Sequence, residues 1–174
     1  MLDDFKWIRL APDHQIKPFD CGDCDLNDFL LENSHGFTRG LVAVTYIIEN
    51  ENKTIAFFSV SNDKISATDF DSKNKFKNII QDNFPTCKKF RSYPAVKIGR
   101  FGIDIEFQNQ KLGTEILDYI KVLFVSDNRT GCVFLTVDAY SQSLRFYANN
   151  DFKFLNEKDR TADTRLMYFD LTLV

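Results

Sequence analysis

Residues 97–117 read KIGRFGIDIEFQNQKLGTEIL. The β-branched and aromatic residues up to Ile103 close a strand that begins near Pro94. From Gln108 to Ser126, Leu112, Ile116, Leu117, Ile120, Leu123 and Phe124 recur at helical spacing and predict a long amphipathic helix. The first turn of a helix has backbone N–H groups without intrahelical partners and the positive end of the helix dipole. A phosphate is bound there without a cationic side chain. Gly113, with no Cβ, lets a ligand come close to the backbone. The pattern G-x-x-x-x-G-K-[ST] is absent, which argues against a nucleotide P-loop.

Outward from this stretch, the chain alternates strands and helices. Upstream, 6–10 is a short strand, and 25–35 is a helix with Leu26, Phe29 and Leu30 on one face. Strands at 41–49 and 54–61 flank the polar turn 50–53 and predict a hairpin. Phe76, Ile79, Ile80 and Phe84 predict a helix over 71–84, with Pro85 as its stop. Downstream, 131–138 is a nearly continuous apolar strand of the kind buried on both faces. A short helix at 141–149 and closing strands at 152–155 and 165–173 follow. The order β-α-β-β-α-β-α-β-α-β-β predicts an α/β (α+β) domain spanning 1–174, with about six or seven strands in a mixed sheet and about four helices packed on it.

Composition narrows the class. With 174 residues, 44% hydrophobic and 27% charged, the chain has the balance of one globular domain with a sizeable core. Its 18 Phe predict an aromatic-rich core. A net charge of −3 gives no general attraction to nucleic acid or anionic membranes. No apolar run reaches the ~20 residues of a membrane span, and the first residues lack the apolar stretch of a signal peptide, so the expected location is the cytoplasm. Cys21, Cys24, Cys87 and Cys132 are then free thiols. Cys21 and Cys24 form a C-x-x-C, but no second pair or clustered histidine completes a zinc set, and no metal is expected.

Three segments carry a family resemblance. GRFGID with Gln108-Asn109-Gln110-Lys111-Leu112-Gly113 resembles motif A of the GNAT N-acetyltransferases, Q/R-x-x-G-x-G/A, with Lys111 in place of the first glycine. Residues 136–154, TVDAYSQSLRFYANNDFKF, resemble motif B, roughly A-x-x-F-Y-x-x-x-G-F. Phe146, Tyr147 and Phe152 match, and Asp151 replaces the glycine. Residues 19–30, FDCGDCDLNDFL, are similar to the opening of the GNAT branch that includes the aminoacyl-tRNA-acetylating toxins. The resemblance implies a GNAT fold, acetyl-CoA as cosubstrate, and a CoA pyrophosphate held on the backbone of Gln108, Asn109, Gln110, Lys111, Leu112, Gly113 and Thr114. It also implies that strand 97–103 lies beside the pantetheine arm and parts from strand 131–138, with the thioester in the gap. Backbone N–H groups at Phe101, Gly102 and Ile103 would then serve the developing oxyanion. Tyr147 matches the family tyrosine that donates to the departing CoA thiolate. Asp104 and Glu106 are candidates to take the amine proton, set against a reading as exposed charge at a turn.

The implied reaction is acetyl transfer to a primary amine by direct attack in a ternary complex. A small molecule, peptide or protein amine is the first expectation for the acceptor. The amino group of aminoacyl-tRNA is the alternative, with an antitoxin partner and a homodimer left open. Lys73, Lys75, Lys77, Lys88, Lys89, Arg91 and Lys97, with Phe76, Phe84, Phe90 and Tyr93 between them, resemble an RNA-binding footprint. The expected reading is nonetheless a solvated face over core aromatics. A non-catalytic CoA-binding module is a third reading, and the replacements at Lys111 and Asp151 support it.

Overall fold

The computed structural model describes residues 5–80, 90–126 and 130–174. β1 (Lys6–Arg9) is followed by α1 (Cys24–Asp28), a π turn (Phe29–Asn33) and α2 (Ser34–Arg39). Next come β2 (Val44–Glu49), β3 (Thr54–Ser66), α3 (Lys73–Ile79), β4 (Ser92–Ile103) and α4 (Leu112–Ser126). β5 (Phe134–Tyr140), α5 (Leu144–Asn149), β6 (Lys153–Phe154) and β7 (Thr164–Asp170) complete the chain. The element order is the predicted one. The strands form one seven-stranded sheet in the order β1-β2-β3-β4-β5-β7-β6. β4 and β5 run parallel, and the β1–β2, β2–β3, β5–β7 and β6–β7 pairs are antiparallel.

Several predicted boundaries move by a few residues, the long helix starting at Leu112 rather than Gln108, and two of the shifts have a local reason. The first helix was expected to be regular over 25–35. Instead the Ser34 N–H reaches back to the Phe29 carbonyl, a π-type bond. The hydroxyls of Ser34 and Thr38 donate to the carbonyls four residues earlier, at 2.6 and 3.0 Å. Such back-bonding competes with the regular helical ladder and distorts it. β3 runs on from Ser61 to Ser66, because its outer end alternates exposed and half-buried residues and Ile65 is again buried. The continuous apolar run in its first half masked that extension. The predicted helix 71–84 is described as far as Ile80, and Phe84 and Pro85 lie outside the described residues.

The chain divides into two compact units, Met1–Ser61 with Ile98–Ile120, and Asn62–Lys97 with Lys121–Val174. Each has its own aromatic core. In the first, Leu10, Phe19, Phe29, Leu30, Ile47 and Phe57 cluster, with Phe19 edge-on to Phe57 at 5.4 Å. In the second, Ile65, Phe70, Phe76, Ile80, Tyr93, Ala95, Phe134, Leu155 and Tyr168 cluster. Phe76 and Tyr93, read from the sequence as candidate RNA-stacking aromatics, are thus core side chains at 3% and 5% exposure.

Candidate active site

The N-terminal turn of α4 has the backbone an anion needs. Asn109 and Lys111 adopt φ of 60° and 64°, with negative φ between them. That alternation of sign is how successive N–H groups come to face one concavity. Lys111 caps the helix with its carbonyl, which accepts from the N–H groups of Thr114 and Glu115 at 3.0 and 3.3 Å. The N–H groups of Lys111, Leu112 and Gly113 make no hydrogen bond among the described residues. The Lys111 side chain is exposed. Glycine is the usual residue at motif position 111 because it costs nothing at positive φ. This chain keeps the backbone shape with a lysine.

The side chains around the turn have structural work. Gln108 Nε2 donates to the carbonyls of Cys21 and Ile103 at 3.0 and 2.9 Å, and Gln110 Nε2 donates to that of Glu106 at 2.9 Å. What remains to offer a ligand is main chain, as the motif reading requires. Phe101 and Ile103 are half-buried at the end of β4. Gly102 is buried, and a Cβ on it would lie 2.7 Å from Phe57 Cε1 and 3.3 Å from the Phe19 ring. Gly102 is therefore required for packing against this core.

Asp104 is not exposed turn charge: it is fully buried. Its carboxylate accepts from Lys53 Nζ at 3.0 Å and from the N–H groups of Asp20 and Glu106 at 3.2 and 3.1 Å. The Asp104 carboxylate raises the Lys53 pKa above its ordinary value, foremost through that hydrogen bond. A carboxylate so fully engaged is a structural anchor. It ties the 19–30 opening to the end of β4, assisted by the Ile105 N–H bond to the Asp20 carbonyl at 2.8 Å. Within that opening, Asp20 Oδ1 accepts from Gly22 N–H and Asn27 Nδ2, both at 2.8 Å, and Asp23 caps α1. Gly22 has a φ of 81°. The Cys21 thiol pKa is raised, chiefly by burial, and Cys21 and Cys24 are both free thiols. No cluster of three His, Cys, Asp or Glu positioned for a metal occurs among the described residues.

Tyr147 lies in the second unit, on α5, at 6% exposure. α5 ends in a Schellman turn, with the Phe152 N–H bonded to the Tyr147 carbonyl at 3.1 Å and the Asp151 N–H to that of Ala148 at 3.2 Å. Asp151 takes a φ of 67°. Phe152 packs on Tyr147 with ring centroids 5.3 Å apart, the apolar contact that accompanies this turn. The F-Y-x-x-x-G-F pattern thus has a physical meaning: it orients the tyrosine by fixing the helix end. The Tyr147 hydroxyl makes no hydrogen bond among the described residues. Desolvation raises its pKa well above that of a free phenol, so it stays protonated.

β4 and β5 pair only at Ala95↔Phe134, Val96↔Leu135 and Lys97↔Thr136, although β4 continues to Ile103 and β5 to Tyr140. The parallel ladder thus covers three register pairs and ends at Lys97. The fold is that of the GNAT acyltransferases. A tyrosine-to-phenylalanine variant of KacT superposes with a TM-score of 0.78 at 20% identity, over 98% of this chain and 96% of that one. AtaTR bound with acetyl-CoA gives 0.75 at 21% identity, over 98% and 96%. AtaT complexed with acetyl-methionyl-tRNAfMet gives 0.72 at 20%, over 98% and 96%. No family model matches the chain, and no curated protein matches its sequence.

The basic stripe is thinner in the GNAT frame than along the sequence. Lys75 pairs with Asp71 at 3.0 Å and Lys97 with Asp138 at 2.6 Å. Lys73 and Lys77 are exposed on α3, and Lys88, Lys89 and Phe84 lie outside the described residues. The sequence reading passed over Asp63, Thr136 and Asp138. For Thr136 and Asp138 the linear signal was a Thr and an Asp in alternate positions of an otherwise apolar strand, and Asp63 lies in the polar stretch at the outer end of β3.

Proposed function

We propose that the protein transfers an acetyl group from acetyl-CoA to a primary amine. The observation that carries this reading is the set of unbonded amides at the start of α4, shaped by positive φ at Asn109 and Lys111. Its fold is shared with AtaTR bound with acetyl-CoA. In this reading the backbone of 108–114 receives the pyrophosphate and the amides at the end of β4 serve the oxyanion. Burial keeps the Tyr147 phenol neutral, and an unspent neutral hydroxyl is a donor for the departing thiolate. Holding amine and thioester in line accounts for much of the remaining acceleration. The binding-module alternative rested on the two replaced glycines. Both positions keep the left-handed backbone that glycine would adopt, which supports the transfer reading over that alternative.

A second reading makes the amino group of an aminoacyl-tRNA the acceptor. It is favoured by the likeness to AtaT complexed with acetyl-methionyl-tRNAfMet, and it now stands beside the small-amine reading rather than behind it. Release of CoA thiol from acetyl-CoA, measured with a panel of small amines, peptides and charged tRNA, separates the acceptors. Acetyl-CoA should also raise the melting temperature, since it binds the folded state alone. Gly113→Val should abolish that rise. Equal stabilisation of variant and wild type would remove α4 from the site, and binding without thiol release on any amine would leave a binding module.

A further inference from the structure

The opening segment holds a pair of thiols that the acetyl-transfer reading does not use. Cys21 and Cys24 stand on either side of Gly22 and Asp23, in the unit that also holds the start of α4. Gly22, with its φ of 81°, folds Cys21 back onto the first turn of α1. The Cys21 N–H and thiol both donate to Asn27 Oδ1, at 2.9 and 3.2 Å. The thiol also lies 3.7 Å from the Asp23 carbonyl oxygen, on the peptide that leads directly into Cys24. Cys24 is the first residue of α1, where the Cα–Cβ bond tilts back toward the helix N-terminus and hence toward that turn. Cys21 is half-buried. Cys24 is exposed and its thiol makes no hydrogen bond among the described residues, so neither packing nor bonding accounts for it.

The pair is joined to the start of α4 by a hydrogen bond. The Cys21 carbonyl accepts from Gln108 Nε2 at 3.0 Å, and the same Nε2 donates to the Ile103 carbonyl at 2.9 Å. Asp20, the residue before, is held by Asp104 and Ile105 through its main chain. With Asp20 fixed on one side and α1 on the other, a covalent bond between residues 21 and 24 is accommodated at Cys21 and Gly22. Forming it removes the thiol proton from Asn27 Oδ1 and turns the Cys21 side chain toward Cys24. The displacement then falls on the Cys21 carbonyl and its bond to Gln108.

We propose that Cys21 and Cys24 are a reversible oxidation site, that a small-molecule disulfide such as oxidised glutathione is the oxidant, and that the resulting disulfide weakens acetyl-CoA binding at the 108–114 turn. The effect on acetyl-CoA rests on the acetyl-transfer reading above; the disulfide itself does not. The Cys24 thiolate attacks one sulfur of the oxidant, and one glutathione thiolate leaves. The Cys21 thiol loses its proton to water, its thiolate attacks Cys24 Sγ, and the second glutathione thiolate leaves. Two protein thiols are oxidised to one disulfide, and the oxidant is reduced to two thiols that take up the two protons. Burial raises the Cys21 thiol, which agrees with the exposed Cys24 reacting first.

The test incubates the purified full chain with oxidised glutathione, alkylates it with iodoacetamide and maps it by mass spectrometry without reduction. The peptide bearing both cysteines should lose two hydrogens and take up no alkyl group. Cys21→Ser should stop at the glutathione adduct on Cys24, because no second thiol is there to displace it. Dithiothreitol should reverse both. By calorimetry, acetyl-CoA affinity should fall by roughly 5–150-fold from reduced to oxidised wild type, the range of a typical coupling between sites. Cys24→Ser should bind acetyl-CoA as reduced wild type does and show no response to the oxidant. Oxidised wild type that keeps both thiols open to alkylation, holds only a glutathione adduct, or pairs either thiol with Cys87 or Cys132 overturns the proposal. So does a Cys21–Cys24 disulfide that leaves the affinity unchanged. Reduced wild type that binds no acetyl-CoA overturns the acetyl-transfer reading and the effect proposed here with it.

Discussion

Asp151→Gly isolates the cost of an L-residue in the motif B turn. Asp151 is exposed, has a φ of 67°, and makes no side-chain hydrogen bond among the described residues, so removing its side chain loses no contact. A left-handed conformation costs an L-residue about 1–2 kcal/mol, with Asp at the tolerant end. Glycine returns about 0.5–1 kcal/mol of that through its greater unfolded-state freedom. The net expectation is a stabilisation of roughly 0.5 kcal/mol, or about 1–2 °C in Tm for a chain of this size. Asp151→Val is the sharper contrast, because a β-branched residue at this φ is a genuine outlier. The gap between the two variants should reach about 2–3 kcal/mol, roughly 5–10 °C by calorimetry. The Val variant should also lose turnover, because Phe152 and Tyr147 pack against each other across the same turn. Equal melting temperatures for Gly and Val variants would refute the left-handed turn and the motif reading built on it.

Tyr147→Phe should leave the melting temperature within about 1 °C of wild type, since an unbonded hydroxyl contributes little to stability. Its kcat should fall by ~10²–10⁴-fold with acetyl-CoA affinity retained, and unchanged turnover would make Tyr147 a packing residue. Lys111→Gly should raise stability by roughly 0.5–1 kcal/mol and weaken acetyl-CoA binding only slightly; complete loss of binding by calorimetry would assign the ammonium a dominant contact. Burial pushes the Cys132 thiol up to about 11, so at pH 8 iodoacetamide should label exposed Cys24 well before Cys132, as peptide mapping reads out. The same shift makes a pH prediction: a folded-state pKa raised above the unfolded value contributes stability that is complete below about pH 8.5 and is lost as pH rises toward 11. A stability flat from pH 8 to 11 would contradict the burial of Cys132.

The order of elements was legible because each carries its own period. α4 shows its helical repeat from Leu112 to Phe124, β5 is continuously apolar, and Pro and Gly punctuate the ends. Motif A and motif B were legible for the same reason, since a strand–turn–helix and a Schellman turn are local events encoded by neighbours in the chain. Whether the missing glycines mattered was not legible: only the backbone angles show that Lys111 and Asp151 occupy the glycine conformation. Asp104 was misread as an exposed turn residue because its partners, Lys53 and Asp20, are remote in sequence. Asp63 and Thr136, hydrogen-bonded to each other, stand seventy-three positions apart on strands separated by β4. Periodicity assigns each to a face of its own strand, but strand order and register decide which faces meet, and these are set by packing over the whole sheet.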